Sequence, residues 1–123
     1  MKTGLVIEDN EDNMVLITRF LQKSGFQTLW AETGNKGYEM AIGKKPDFII
    51  LDIQLPDIDG TEDLKNIRAR EEGKNIPVIA MTSYAMMGDR EKLLAAGCNG
   101  YIEKPFNPKL VISQIRKLIG EDS

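Results

Sequence analysis

Short apolar runs recur along the chain, separated by stretches in which apolar residues return every three or four positions. The runs are TGLVI (3–7), FQTLWA (26–31), FIIL (48–51), VIAM (78–81) and YI (101–102). Runs of this length predict strands, and strands alternating with helical spacing predict a parallel sheet wrapped by helices. The pattern amounts to five strand–helix units. The first helix is expected from about Glu11 to Ser24, with Met14, Ile17, Leu21 and Val15 on its core stripe and Gly25 as its stop. Asn107 and Pro108 open the last helix as cap and first-turn proline, and Leu110, Ile112, Ile115, Leu118 and Ile119 form its apolar face. Weaker helices fall around Asn35 to Ile42, Gly60 to Arg70 and Asp89 to Ala96. No repeat, low-complexity tract or linker interrupts the series, so residues 1–123 read as one domain.

Composition narrows the chemistry. The chain is 41% hydrophobic and 28% charged, with a net charge of −3 and a pI near 5.0, which argues against bulk nucleic-acid or anionic-membrane binding. Neither a signal peptide nor an apolar stretch of membrane-spanning length is present, so a cytoplasmic location without membrane insertion is expected. There is no histidine and a single cysteine, Cys98. That removes the usual general base, the usual zinc ligand and any internal disulfide. Cys98, in AAGCNG, has no neighbouring base and reads as a small buried filler. Oxygen ligands and lysine are left to do the chemistry.

Those groups stand where the strands stop: Glu8 and Asp9 after LVI, Asp52 after FIIL, Thr82 and Ser83 after VIAM, and Lys104 after YIE. In a parallel sheet these ends share one edge, the edge at which open α/β sheets bind ligands. With the strand order 2-1-3-4-5 of a doubly wound, flavodoxin-like sheet with five helices, Glu32 at the end of strand two falls outside that crevice. Trp30, on the same outer strand, is not expected to report on the site. Each residue alone has an ordinary explanation. Acids in EDNEDN suit a helix N-terminus, Asp52 could cap a turn, Thr82 could satisfy a loop, and Lys104 could be solvated. Their joint occurrence at four strand ends points to a site. Three carboxylates gathered together repel and should raise the pKa of at least one, and a hard cation bound through oxygen, magnesium above all, answers that repulsion. Metal, lysine and hydroxyl around a carboxylate are the parts that stabilise a phosphoryl group in transfer, with Asp52 as its acceptor.

From about Lys2 to Ile119, the motifs LVIEDN, FIILDIQLPDIDG, VIAMTSYAM and GYIEKPF resemble the receiver domain of two-component response regulators. The resemblance implies that Asp52 is the phosphoacceptor, Asp9 a direct magnesium ligand, and Glu8, where many members carry aspartate, an acidic partner acting through water. The Gln54 backbone carbonyl would complete the protein ligands, and manganese would be an acceptable substitute ion. Thr82 and Lys104 would contact the phosphoryl group, with Tyr101 as the switch aromatic, Gln54 and Tyr84 modulating water's access, and a cis bond between Lys104 and Pro105. AGCNGYIEKPF and Asn13 are most similar to stand-alone, phosphorelay or hybrid-kinase receivers.

The donor is then a phosphohistidine on a histidine kinase or histidine phosphotransfer protein, since this chain has no histidine. Output is expected through a downstream protein, without direct nucleic-acid binding, by way of the face built from helix four, strand five and helix five. The paired methionines of YAMMGD begin that face, either as an adaptable surface or as one buried and one incidentally exposed residue. Such a protein is a signalling phosphoacceptor, catalysing at most its own phosphorylation and slow dephosphorylation. A rival reading, an aspartate-nucleophile phosphatase, needs a second aspartate two residues after the nucleophile, where this chain has Gln54. A phosphorylation-independent interaction module would lack one or more of the site residues, and none is lacking.

Overall fold

The computed structural model describes residues 2–83, 87–104 and 107–120. Five strands, β1 (Thr3–Ile7), β2 (Gln27–Ala31), β3 (Phe48–Asp52), β4 (Val78–Thr82) and β5 (Gly100–Glu103), alternate with helices α1 (Glu11–Lys23), α2 (Gly34–Lys44), α3 (Gly60–Arg68), α4 (Met87–Ala96) and α5 (Pro108–Leu118). All strand pairs are parallel, in the order β2-β1-β3-β4-β5. The expected doubly wound sheet is therefore present.

Successive strand residues point to opposite faces, and each face has its own core. Leu5, Ile7, Ile49, Leu51, Val78 and Ala80 pack with Ala41 of α2, Leu64 and Ile67 of α3 and Leu93 of α4. Val6, Phe48, Ile50, Ile79 and Met81 pack with Ile17 and Leu21 of α1 and Val111 and Ile115 of α5. Burial on both faces is why the central strands read as unbroken apolar runs rather than as alternation. Cys98 is buried in the first of these cores, the filler expected of it, and burial pushes its thiol pKa up.

Local chemistry sets the helix ends. Asn10, Thr33, Asp59 and Asn107 cap α1, α2, α3 and α5 by accepting a hydrogen bond from a first-turn amide. Gly25, just beyond α1, has φ +93°, the left-handed conformation that ends a helix at least cost in glycine. Two details differ from the sequence reading. Asp52 and Thr82 are the last residues of their strands rather than the first beyond them, because the ladder continues through Ile53 N–H to Met81 O (3.0 Å) and Lys104 N–H to Thr82 O (2.9 Å). Leu110 does not belong to the apolar face of α5: it is 62% exposed, while Val111, not assigned to that face from sequence, is buried. Packing of α5 beside α1, into the core that holds Phe48, Ile50, Ile79 and Met81, turns the stripe onto Val111 and Ile115.

Candidate functional site

Glu8, Asp9, Asp52, Thr82 and Lys104 meet at the C-terminal edge of the sheet. Carboxylate oxygens of Glu8, Asp9 and Asp52 lie within 4.8 Å of one another, the sole such acidic cluster among the described residues, and Glu32 is not part of it. Two of the three acids are removed from water: Glu8 is fully buried and Asp52 is 2% exposed, whereas Asp9 is exposed. Strand pairing places them together: β1 and β3 are neighbours in the sheet interior, Asp52 ends β3, and Glu8, the first residue beyond β1, still bonds to Ala31 O through its N–H at 3.0 Å.

Each oxygen of Asp52 is held. The Gln54 backbone N–H donates to Oδ1 at 2.9 Å, and the Lys104 ammonium donates to Oδ2 at 3.0 Å. Lys104 Nζ also lies 3.7 Å from Glu8 Oε2. On its other side Glu8 Oε1 accepts from the Asn10 amide at 3.1 Å and from Asn13 Nδ2 at 3.5 Å. Glu8 Oε2 is buried and has no hydrogen-bond partner among the described residues. Burial first, then the charge of Asp52, pushes the Glu8 pKa up to about 7, against the opposing pull of Lys104. The expected rise falls on Glu8, with burial as its main cause and the charge of Asp52 adding to it. Lys104 pairs with two of the three carboxylates here, and an orphaned buried oxygen adjoins them. This all-oxygen donor set fits a hard divalent cation.

Thr82, 1% exposed, ends β4 beside this cluster. Its neighbour Ser83 donates from Oγ to Gln54 Oε1 at 2.7 Å, tying the loop after β4 to the loop after β3. Tyr101 is half-buried on β5, opposite Ala80, and packs against the core shared with α2, α3 and α4. An open cleft of about 650 Å³ leads away from the acids, lined by Asp9, Gln54, Pro56, Thr82 and Lys92 among others. Tyr84, Met86 and Pro105, and with them the cis bond and part of the tuning assignment, lie outside the described residues. The side chain of Met87 does too.

Sequence reasoning missed two contacts. Ser83 is visible at its strand end, but its bond to Gln54 depends on how two loops converge. Trp30 is the larger correction: it does stand on the outer strand, yet its indole N–H donates to the Glu8 backbone carbonyl at 2.8 Å. A side chain at a strand end can reach across to the neighbouring strand, and no pattern in either segment announces this.

Fold and site together define a parallel α/β domain that presents an acid cluster and a lysine at the carboxyl edge of its sheet. The sequence model of the response regulator receiver domain matches residues 5–116, and the chain belongs to that family. It is 38% identical over 120 residues to the polar-differentiation response regulator DivK of Brucella ovis, covering 98% of each chain. The solved receiver domain of sensor histidine kinase PA1611 from Pseudomonas aeruginosa, with a magnesium ion coordinated in its active-site cleft, is similar with a TM-score of 0.90 and 34% identity over 97% of this chain and 98% of that one. A putative response regulator from Chloroflexus aurantiacus shares the fold at TM-score 0.92 and 24% identity, over 97% of this chain and 98% of that one. Among the described residues no helix is long and apolar enough to cross a membrane.

Proposed function

We propose that residues 1–123 act as one receiver domain in which Asp52 accepts a phosphoryl group from a phosphohistidine on a histidine kinase or histidine phosphotransfer protein. The observation that carries this reading is the state of Asp52. It is 2% exposed, oriented through both oxygens by the Gln54 amide and Lys104, and set beside Glu8 and Asp9. In the transfer a carboxylate oxygen of Asp52 forms a bond to phosphorus as the bond from phosphorus to the imidazole nitrogen breaks, and the nitrogen keeps the electron pair.

Asp9 and Asp52, the Gln54 carbonyl, and Glu8 through water would hold magnesium, or manganese in its place. When bound, the ion neutralises charge building on the phosphoryl oxygens. The magnesium seen in the related Pseudomonas aeruginosa domain supports the assignment. Lys104 already spans Asp52 and Glu8, so it can pass its hydrogen bond from the Asp52 carboxylate to a phosphoryl oxygen without leaving the site. The acyl phosphate brings up to about two negative charges where Asp52 carried one. Thr82, at the adjoining strand end, then turns its hydroxyl to that group, and Tyr101 repacks further inward, altering the α4, β5 and α5 face that a downstream protein reads. Gln54 and Tyr84 would limit water's access, giving a long-lived adduct.

Intact mass after incubation with acetyl phosphate and magnesium tests the reading. One added phosphoryl group is expected, absent with EDTA and absent from Asp52→Ala, and its decay over time in the same samples measures the lifetime. A folded wild-type protein that takes up no phosphoryl group would refute the proposal.

A further inference from the structure

The Glu8–Asp9 peptide joins the two acids that leave β1, and the structure shows how it is held. Pairing of β1 with β2 ends at Ile7 and Ala31, after which the Glu8 N–H makes a last bond to Ala31 O at 3.0 Å. The next acceptor along that edge is the Glu8 carbonyl. It is taken by the Trp30 indole N–H, at 2.8 Å, from the half-buried side chain one residue before the end of β2. On the far side of the same turn, the Asn10 amide is tied to Glu8 Oε1 at 3.1 Å while Asn10 caps α1 through the Asn13 amide at 3.0 Å.

We infer that Trp30 is a positioning residue for the acid pair: its indole N–H fixes the peptide plane from which the Glu8 and Asp9 carboxylates are presented to the cation. The inference rests on the metal-dependent reading above. A peptide unit is planar, so its oxygen and both flanking Cα atoms move together; with the chain anchored before it at Ala31 and after it by the α1 cap, pinning the oxygen restrains the Glu8 ψ and Asp9 φ that set where the two side chains leave the backbone. Glu8 is fully buried, and its carbonyl, deprived of the indole, would be left unpaired or would rotate towards another donor. Rotation would carry Asp9 away from Asp52 and disperse the cluster. Phenylalanine fills most of the same space and offers no N–H, so the hydrogen bond is the property that separates the two residues.

The test is a magnesium titration followed by NMR in wild type and Trp30→Phe. The Asp9 and Asn10 amides report binding in both, and the single tryptophan gives one assignable indole N–H resonance in the wild type. Removal of groups that orient metal ligands lowers metal affinity on the order of tenfold or more, and a loss of about tenfold is expected for Trp30→Phe. The wild-type indole resonance should shift along the same isotherm as the Asp9 amide, a response that ring packing alone does not predict. Equal affinity in the two proteins, or an indole signal unmoved at saturation, overturns the inference while leaving the metal site intact. Absence of binding in the wild type overturns the metal reading and this inference together. If the variant does not fold, the wild-type indole isotherm alone decides.

Discussion

Replacing Asp63 with asparagine should flatten the dependence of stability on pH. Asp63 lies in the first turn of α3, where an acid is ordinarily solvated, yet it is 1% exposed and neither oxygen has a hydrogen-bond partner among the described residues. It packs towards the start of α2, so that a side chain on Gly34 would come within 3.3 Å of Asp63 Oδ2. Asp57 reaches the same helix start, accepting from the Gly34 and Asn35 amides at 2.8 and 2.9 Å. Slight burial opposes ionisation of Asp57, but those amides outweigh it and hold its pKa below the ordinary carboxylate value. Asp57 therefore stays charged beside Asp63. Burial first, and then that charge, raises the Asp63 pKa from 3.8 to about 7.

Between those two values the folded protein keeps a proton that the unfolded chain has released. The resulting stability is fully present below pH 3.8 and is lost as pH rises through about 7. From pH 5 to pH 8 the loss from this one group is about 2–3 kcal/mol by linkage. An asparagine side chain would keep the shape of the protonated acid and cannot ionise. Urea unfolding in EDTA at half-unit steps of pH should show wild-type stability falling by that amount relative to Asp63→Asn. The raised pKa of Glu8 acts in the same direction but is common to both proteins and drops out of the difference. Parallel profiles for the two proteins would refute the reasoning.

Two further substitutions probe how the frame holds the site. Arg68 donates to the Gly97 carbonyl (2.9 Å), the Gly73 carbonyl (2.7 Å) and Asn99 Oδ1 (2.8 Å), joining α3 to the segments that enter β4 and β5. Arg68→Ala should cost about 2–4 kcal/mol in chemical denaturation, with Arg68→Lys recovering a minor part because it lacks the planar fork; an unchanged midpoint in Arg68→Ala would count against this role. Gly60 allows α3 to start hard against the end of β3, since a Cβ there would lie 2.5 Å from Ile53 Cα and 2.8 Å from the Asp52 carbonyl. Backbone cannot yield as a side chain can, so Gly60→Ala should lose about 2 kcal/mol or more and slow acyl-phosphate formation. Wild-type melting together with wild-type labelling would show that the contact relaxes freely.

Much of the fold and the acid cluster was legible because it depends on local pattern and on one topological rule. FIIL followed by Asp52, and LVI followed by Glu8 and Asp9, announce buried strands that end in carboxylates, and parallel pairing brings such ends to one edge. The Asn107 cap was readable for the same reason, since its hydrogen bond closes within two residues. Tertiary structure alone decided the rest. The rotational phase of α5, which exposes Leu110 and buries Val111, is set by where the helix docks. The burial of Asp63 depends on the approach of α2 to α3. The reach of Trp30 to the Glu8 carbonyl depends on strand register, as the link from Ser83 to Gln54 depends on two loops converging. Each of these joins segments far apart in sequence, and neither segment carries the information that the other is there.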